Sequence, residues 1–390
     1  MKYYSKNNVY EEAINRIEFL FDEFEEVIVG FSGGKDSTVT LHLALEVAEK
    51  RNRLPLKVLF IDQEAEWQGT IDYVDKVMRR DDVEPLWFQM PIVITNNAST
   101  TERYSYCWDE TKKDKWLHQK SDISIKENRY NEDRFHDLFK AILKVDFKDK
   151  KTCYLAGVRT KEAPKRLMSL TQALTYKDIT YGKQLSKDLG HYTFYPIYDW
   201  EIKDIWKYIY DNDIEYCKIY DEMYKHGVNL NDMRISNLHH ETSIQALLLV
   251  QEIEPATWNR IADRVAGSNT IKHLKGDAFK CPKELPYMFE DWKEYGEYLA
   301  DKLIDKDIYK EQLRKRIEKL EKFMINDIVK TDIYKTVIKT ILSSDWDFTK
   351  MINFTTNPYF QAIKHYVNGT LTDENRAINK KYDKYIKGLI

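Results

Sequence analysis

This chain of 390 residues has no apolar run of about 18 residues, so it offers no helix fit to cross a bilayer. No apolar h-region follows Met1–Ser5, so no signal peptide is read and a cytoplasmic location is the expectation. Cysteine is scarce, at 4 residues, and Cys107, Cys153, Cys217 and Cys281 form no CxxC pair. That argues against a zinc site of clustered thiolates and against the usual cysteine-ligated iron–sulfur clusters. An excess of one charge is also missing. Lys+Arg number 61 against 64 Asp+Glu, a net of -3, which excludes a globally basic chain but not a local basic groove. Glycine is sparse, at 13, whereas tyrosine reaches 27 and tryptophan 9. Such aromatic richness suits many buried, partly polar contacts. No internal repeat is visible.

The chain does have enough apolar sequence for a sizeable core, and its length points to two domains or one core with large additions. Val9, Ala13, Ile17, Leu20, Phe21 and Phe24 recur at helical spacing. The period then changes. Residues 27–31 read as a short apolar strand, 32–37 as a tight polar loop and 38–50 as a helix with Val39, Leu43 and Val47 on one side. A second buried strand is expected at 56–61, a helix at 70–80 and a weaker, proline-bearing strand at 85–92. Residues 93–130 read as an irregular polar excursion, and excursions that long are rarely idle. Phe135, Leu138, Phe139 and Ile142 mark a helix face; a strand at 153–158, a helix at 161–172, a strand at 192–195 and a helix at 201–210 follow. The alternation argues for a parallel α/β sheet with right-handed connections. Beyond 213 only helices are read, at 238–250, 255–266 and 308–328. The expected divisions are an N-terminal helix over 1–24, an α/β domain over 25–212 and a helical domain over 213–390.

The loop Gly30-Phe31-Ser32-Gly33-Gly34-Lys35-Asp36-Ser37 lies between a strand and a helix, the context that phosphate binding uses. Glycines allow close approach and unusual φ, the helix N-terminus adds positive potential, and Ser32, Ser37 and Lys35 add donors. It is not a Walker A loop, because only three residues separate Gly30 from Gly34 and Asp36 follows the lysine. It is not a Rossmann fingerprint either.

The segment SGGKDS resembles the PP-loop of the ATP pyrophosphatase superfamily. The resemblance continues in Phe60-Ile61-Asp62 with Gln63-Glu64, in Leu155-Ala156-Gly157-Val158-Arg159 with Glu162 and Arg166, and in Tyr195-Pro196-Ile197-Tyr198-Asp199-Trp200 with Asp204 to Tyr208. The last two segments are similar to those of phosphoadenosine phosphosulfate (PAPS) reductases. The Asp62-Gln63-Glu64 acidic step with Trp67, Tyr106-Cys107-Trp108 and the helical C-terminal half resemble the IbrA-like branch, found in bacteria and their mobile elements. The fold implied is a Rossmann-like parallel sheet of the adenine nucleotide alpha-hydrolase-like kind, with a mainly helical C-terminal region. The reductases' C-terminal Glu-Cys-Gly-Leu-His segment is missing, and Arg234-Ile235-Ser236 stands where a cysteine pair would be expected. Thiol-dependent PAPS reduction is therefore not expected.

The resemblance implies an adenine nucleotide, ATP or PAPS, with Mg2+ and without an iron–sulfur cluster. It places the ligand on Ser32, Gly33, Gly34, Lys35, Asp36, Ser37, Phe60, Ile61, Asp62, Gly157, Arg159 and Arg166. Lys35, Asp36, Asp62 and Arg159 are the expected catalytic residues, and Asp36, Asp62 and Glu64 the expected metal carboxylates. Asp36 has a plain alternative as a helix cap. Cys107 has no identifiable base beside it in sequence, and His118 is too far along the chain for proximity to be argued. The activity implied is cleavage of ATP between the α and β phosphates to adenylate a substrate, or handling of an adenylated sulfate. The alternative is a nucleotide-binding regulator with reduced chemistry, acting with the ParB-like partner that the resemblance brings, or with DNA. Nucleic acid is not favoured, because the densest basic run, Arg314-Lys315-Arg316, is flanked by Glu311 and Glu318.

Overall fold

The computed structural model describes residues 6–96, 102, 104–162, 170, 176–177, 179–186, 188–235, 238, 244–268, 281–304, 306–343 and 345–370. The chain divides into two compact units, residues 1–95 with 104–265, and residues 96–103 with 266–390.

The first unit opens with α1 (Val9–Glu23). Asn8 and Glu11 form a reciprocal capping box there, so two orphan backbone donors are satisfied. Then follow β1 (Glu26–Gly30), α2 (Lys35–Lys50), β2 (Leu56–Ile61), α3 (Gln68–Met78) and β3 (Val83–Phe88). The excursion expected to be irregular contains a short antiparallel pair, β4 (Ile92–Thr95) with β5 (Tyr104–Cys107). Further on come α4 (Phe135–Asp146), β6 (Thr152–Leu155), β7 (Gly182–Ser186), β8 (His191–Phe194), α5 (Ile202–Asp211) and α6 (Ile219–Lys225). The unit ends with α7 (Ile244–Ile253) and α8 (Pro255–Arg264). Most of the helix expected at 161–172 lies outside the described residues.

The main sheet runs β3-β2-β1-β6-β8-β7. Its pairs are parallel except at the edge, where β7 meets β8 antiparallel. The reading by periodicity missed β7, because Lys183 and Gln184 are exposed and the segment lacks an apolar alternation. β1 and β2 are near-continuous apolar runs because both faces of the sheet are covered. Ile28, Leu59 and Ile61 pack with Leu138 and Ile142 of α4 and with Ile92 and Ile94 of β4. The alternate residues Val27, Val29, Val58 and Phe60 are buried too, and they point to the opposite face. The parallel α/β architecture is as the sequence implied.

The second unit is helical among its described residues: α9 (Trp292–Leu303), α10 (Asp307–Glu321), α11 (Asp327–Leu342), α12 (Thr349–Thr356) and α13 (Pro358–Val367). α11 buries Val329, Ile333, Val337, Ile338 and Ile341 in a core shared with Leu299, Leu313, Leu320 and Phe360. The single helix expected over 308–328 is in fact two. The carboxamide of Asn326 accepts from Val329 N–H at 2.9 Å and starts α11, so the apolar spacing carries across a real break. On α10, Arg314 and Lys315 pair with Glu318 and Glu311 on their own helix. No helix among the described residues is long and apolar enough to cross a membrane.

One consequence of the packing concerns acid. Burial of His42 on α2, with the Arg80 guanidinium nearby, holds its imidazole down to about 4 from an ordinary 6.5. Between those two values the unfolded chain takes up a proton that the folded chain refuses. Stability therefore falls as pH drops through this window, by about 1–2 kcal/mol at pH 5. Urea titrations at pH 7 and pH 5 should show His42→Gln losing less stability than the parent over that interval.

Candidate functional site

The strand order reverses between β1 and β6, which lie side by side at the centre of the sheet. β2 and β3 extend on one side and β8 on the other. In an open parallel sheet this reversal leaves a crevice at the carboxyl ends of the two central strands. The loop 32–37 leaves the end of β1, and Gly157–Arg159 leaves the end of β6. Topology alone therefore brings the two segments together.

The loop is self-braced. Ser37 Oγ donates to the Gly34 carbonyl at 2.8 Å and accepts from Ser32 N–H at 3.2 Å, and the Ser32 and Ser37 hydroxyls are 3.2 Å apart. Gly33 has φ +71, where a side chain is strained, and a Cβ there would lie 2.9 Å from Thr70 Cγ2. Gly34 caps α2 without a side chain, and Thr38 N–H makes the first helical bond to its carbonyl. The N-terminal turn of α2 thus faces the crevice with its backbone donors.

Lys35 and Asp36 are buried at the start of that helix. Asp36 accepts from Arg159 Nε in a short ion pair, and its other oxygen lies 3.3 Å from the Lys35 ammonium. Arg159 is 4% exposed and also lies 3.9 Å from Glu162. Burial lowers the Lys35 ammonium, and the Asp36 charge offsets this only in part, so the group titrates below its usual range. Gly157 explains how closely the two segments approach. A Cβ there would fall 2.7 Å from the Asp36 carbonyl and 2.8 Å from Ser37 N. Arg166 lies outside the described residues.

Phe60, Ile61 and Asp62 carry β2 past the point where β1 turns away, the last bond being Phe31 N–H to the Leu59 carbonyl at 2.9 Å. Asp62 is fully buried. Its carboxylate accepts from Glu64 N–H at 2.8 Å, Gln89 Nε2 at 2.9 Å and Trp87 Nε1 at 3.2 Å, with His118 Nε2 at 3.5 Å. Burial alone would lower the His118 imidazole, but the facing Asp62 carboxylate outweighs it and holds the group above its ordinary value. Glu64, at φ +66, accepts from Arg264 Nε at 2.7 Å, Arg264 Nη2 at 2.9 Å and Trp108 N–H at 2.7 Å. A cavity of about 10 Å3, room for one water, lies beside Glu64, Cys107 and Arg264. Burial, reinforced by the Glu64 charge, pushes the Cys107 thiol well up, so it is not a ready thiolate.

The three carboxylates expected to hold magnesium do not fit that task as placed. Asp36 is engaged by two cations, Asp62 by three donors and Glu64 by a bidentate arginine. Among the described residues no three His, Cys, Asp or Glu side chains gather as a metal site. A magnesium ion held mainly by phosphate oxygens would arrive with the nucleotide. The sequence does not single out Tyr220, Met233 or Arg264, and it gives no ground for setting His118 beside Asp62. Arg264 carries a usable signal only in retrospect, as the last residue of α8, because nothing in the sequence pairs it with a glutamate two hundred residues earlier.

This sheet, its phosphate-type loop at the switch point and the arginine from the next strand define the class, and comparison with known proteins names it. The chain belongs to the phosphoadenosine phosphosulfate reductase domain family, which matches residues 26–226. Residues 227–376 match a domain of unknown function, DUF3440. Similar proteins include the uncharacterized protein YbdN of Escherichia coli K12, 28% identical over 87% of this chain and 89% of that protein. Another is sulfate adenylyltransferase subunit 2 of Sulfurimonas denitrificans, 25% identical over 54% of this chain and 64% of that protein. Among solved structures, phosphoadenylyl-sulfate reductase from Candida auris, in a phosphate complex, covers 62% of this chain and 98% of its own. The identity is 15% and the TM-score 0.33, an overlap that carries no argument about chemistry. Family membership makes the chain an adenine-nucleotide-handling enzyme of the PP-loop class.

Two variants test the geometry. Arg264→Ala should cost about 3–5 kcal/mol in urea unfolding, because it leaves a buried carboxylate unpaired. The double variant Glu64→Gln with Arg264→Leu should recover more than half of that loss, since no charge is left behind. Gly157→Ala should cost about 1–3 kcal/mol, because the methyl meets the backbone of α2 rather than a mobile side chain. A Gly157→Ala protein as stable as the parent would mean the two segments are not held this close.

Proposed function

We propose that the chain seats the phosphates of an adenine nucleotide on residues 32–37 and cleaves ATP between its α and β phosphates to adenylate an acceptor. Handling of an adenylated sulfate is the other form of the same reading. The observation that supports it is the meeting, at the switch point, of the braced glycine loop, the start of α2, and Lys35 with Arg159. In this reading an acceptor oxygen bonds to Pα while the Pα–O bond to the leaving group breaks, and pyrophosphate departs with the electron pair. Lys35 and Arg159 meet the charge that develops there, and the backbone amides of the loop hold the phosphates without reorganising. Phe60 and Ile61 border the adenine, and Asp36 and Asp62 position their neighbours. The name of the sulfate adenylyltransferase relatives favours adenylyl transfer. Reduction through a thiol is not part of the proposal, since Cys107, Cys153 and Cys217 are buried and burial raises all three thiols. The IbrA-like assignment remains part of this reading.

Release of labelled pyrophosphate from γ-labelled ATP, with sulfate and other acceptors supplied, tests the reaction. Tight binding without release under every acceptor would turn the reading to a nucleotide-binding regulator. Lys35→Ala should fold, because Arg159 still holds Asp36, yet bind ATP roughly 10- to 150-fold more weakly by calorimetry. Unchanged affinity would remove the lysine from the phosphate site.

A further inference from the structure

Lys35 offers two donors that a phosphate oxygen at the start of α2 would use, and one stretch of chain takes both. Its backbone N–H donates to the Tyr220 hydroxyl at 3.1 Å, and its ammonium donates to the Met233 carbonyl at 3.1 Å. The same ammonium stands 5.2 Å from the centre of the Tyr220 ring. Lys35, Tyr220 and Met233 are 4%, 3% and 1% exposed, so no solute reaches the lysine while these contacts stand. Tyr220 is steadied by Trp206, edge-on at 5.4 Å. Between the two contacts the chain finishes α6, where Met223 is still buried, and then runs over the surface. Tyr224 is 69% and Leu230 45% exposed, and Gly227, at φ +76, has nothing within 4 Å of a Cβ position.

We propose that residues 220–233 form a strap whose Tyr220 hydroxyl and Met233 carbonyl stand in for phosphate oxygens, and that a nucleotide polyphosphate binds by displacing them. The inference rests on the proposed phosphate role of residues 32–37. Its physical basis is an exchange of acceptors. A hydroxyl and a carbonyl are neutral oxygens, whereas a phosphate oxygen makes charge-assisted bonds to the same donors about twice as strong. The strap satisfies a buried ammonium and a helix-start amide that would otherwise need a ligand. It also excludes weaker anions, because displacement requires a ligand that replaces both acceptors at once.

The sign of one substitution separates this from a purely structural contact. Tyr220→Phe keeps the ring and removes the competing hydroxyl. If the strap competes, the variant binds the α,β-methylene analogue of ATP about five- to tenfold more tightly than the parent, because the Lys35 amide is left unsatisfied until a phosphate arrives. Its ligand-free melting temperature falls while that of its complex does not. If Tyr220 were instead a phosphate ligand, affinity would fall, and if it were only packing, affinity would not change; either result overturns the proposal. Hydrogen exchange on the wild-type protein gives an independent reading. Saturating analogue should slow exchange at residues 32–38 and speed it at 226–235, and protection of both segments would overturn displacement. Should neither protein bind the analogue, the phosphate role of the loop fails and the strap fails with it. Binding by wild type with no change in Tyr220→Phe sinks the strap alone.

Discussion

The ion pair between Asp36 and Arg159 is the contact on which the geometry of the site depends. It joins the first turn of α2 to the turn leaving β6, across the place where the strand order reverses. Buried pairs of this kind are weak evidence for stability, because desolvating both charges costs about as much as their attraction returns. What the pair secures is position. The carboxylate fixes the guanidinium beside the phosphate loop, and Gly157 lets the two backbones approach until only hydrogen fits between them. A carboxylate here also keeps together two cations that would otherwise repel each other beside the loop.

A second set of buried charges lies at the end of β2. Asp62 gathers the indole of Trp87, the amide of Gln89 and the imidazole of His118, while Glu64 is held by Arg264 and by the Trp108 amide. With Glu64 in the left-handed region, the chain leaves β2 along one path only. Trp108 Nε1 closes the network by donating to the Asp62 carbonyl at 2.8 Å. The acidic residues that look like metal ligands in the sequence are held, as placed, by hydrogen-bond donors and by an arginine. Acidic side chains at a strand's carboxyl end are ambiguous between these roles until the donors around them are known.

The sequence made the parallel sheet legible because β1 and β2 are continuous apolar runs, and it made the loop legible because glycines, lysine and a helix start coincide in eight residues. Those signals are local. What it hid is long-range. Tyr220 reaches Lys35 from 185 residues away, and Arg264 reaches Glu64 from 200. Neither partner sits in a pattern that periodicity could single out. β7 was hidden for another reason. It is an edge strand with exposed residues, so its pairing comes from backbone bonds to β8 and leaves little mark on composition. The break at Asn326 was missed because two helices in a row preserve the apolar spacing, and only the capping side chain marks the join.

The charged side chains around the loop largely offset one another. Lys35 and Arg159 offset Asp36 and Glu162, and Arg234 adds a positive charge close enough to bear on Lys35. Attraction for a polyphosphate then comes from Arg234 together with the oriented amides of the loop and of α2, whose positive potential needs no counter-charge from the side chains. This explains why a lysine can lie buried at a helix N-terminus, where the dipole opposes it. Asp36 supplies an anion, Met233 a carbonyl and Tyr220 a ring face, three partners of different kinds for one ammonium. Two of them are neutral and come from a single stretch, residues 220–233, so a phosphate can replace them without disturbing the ion pair that holds the site together.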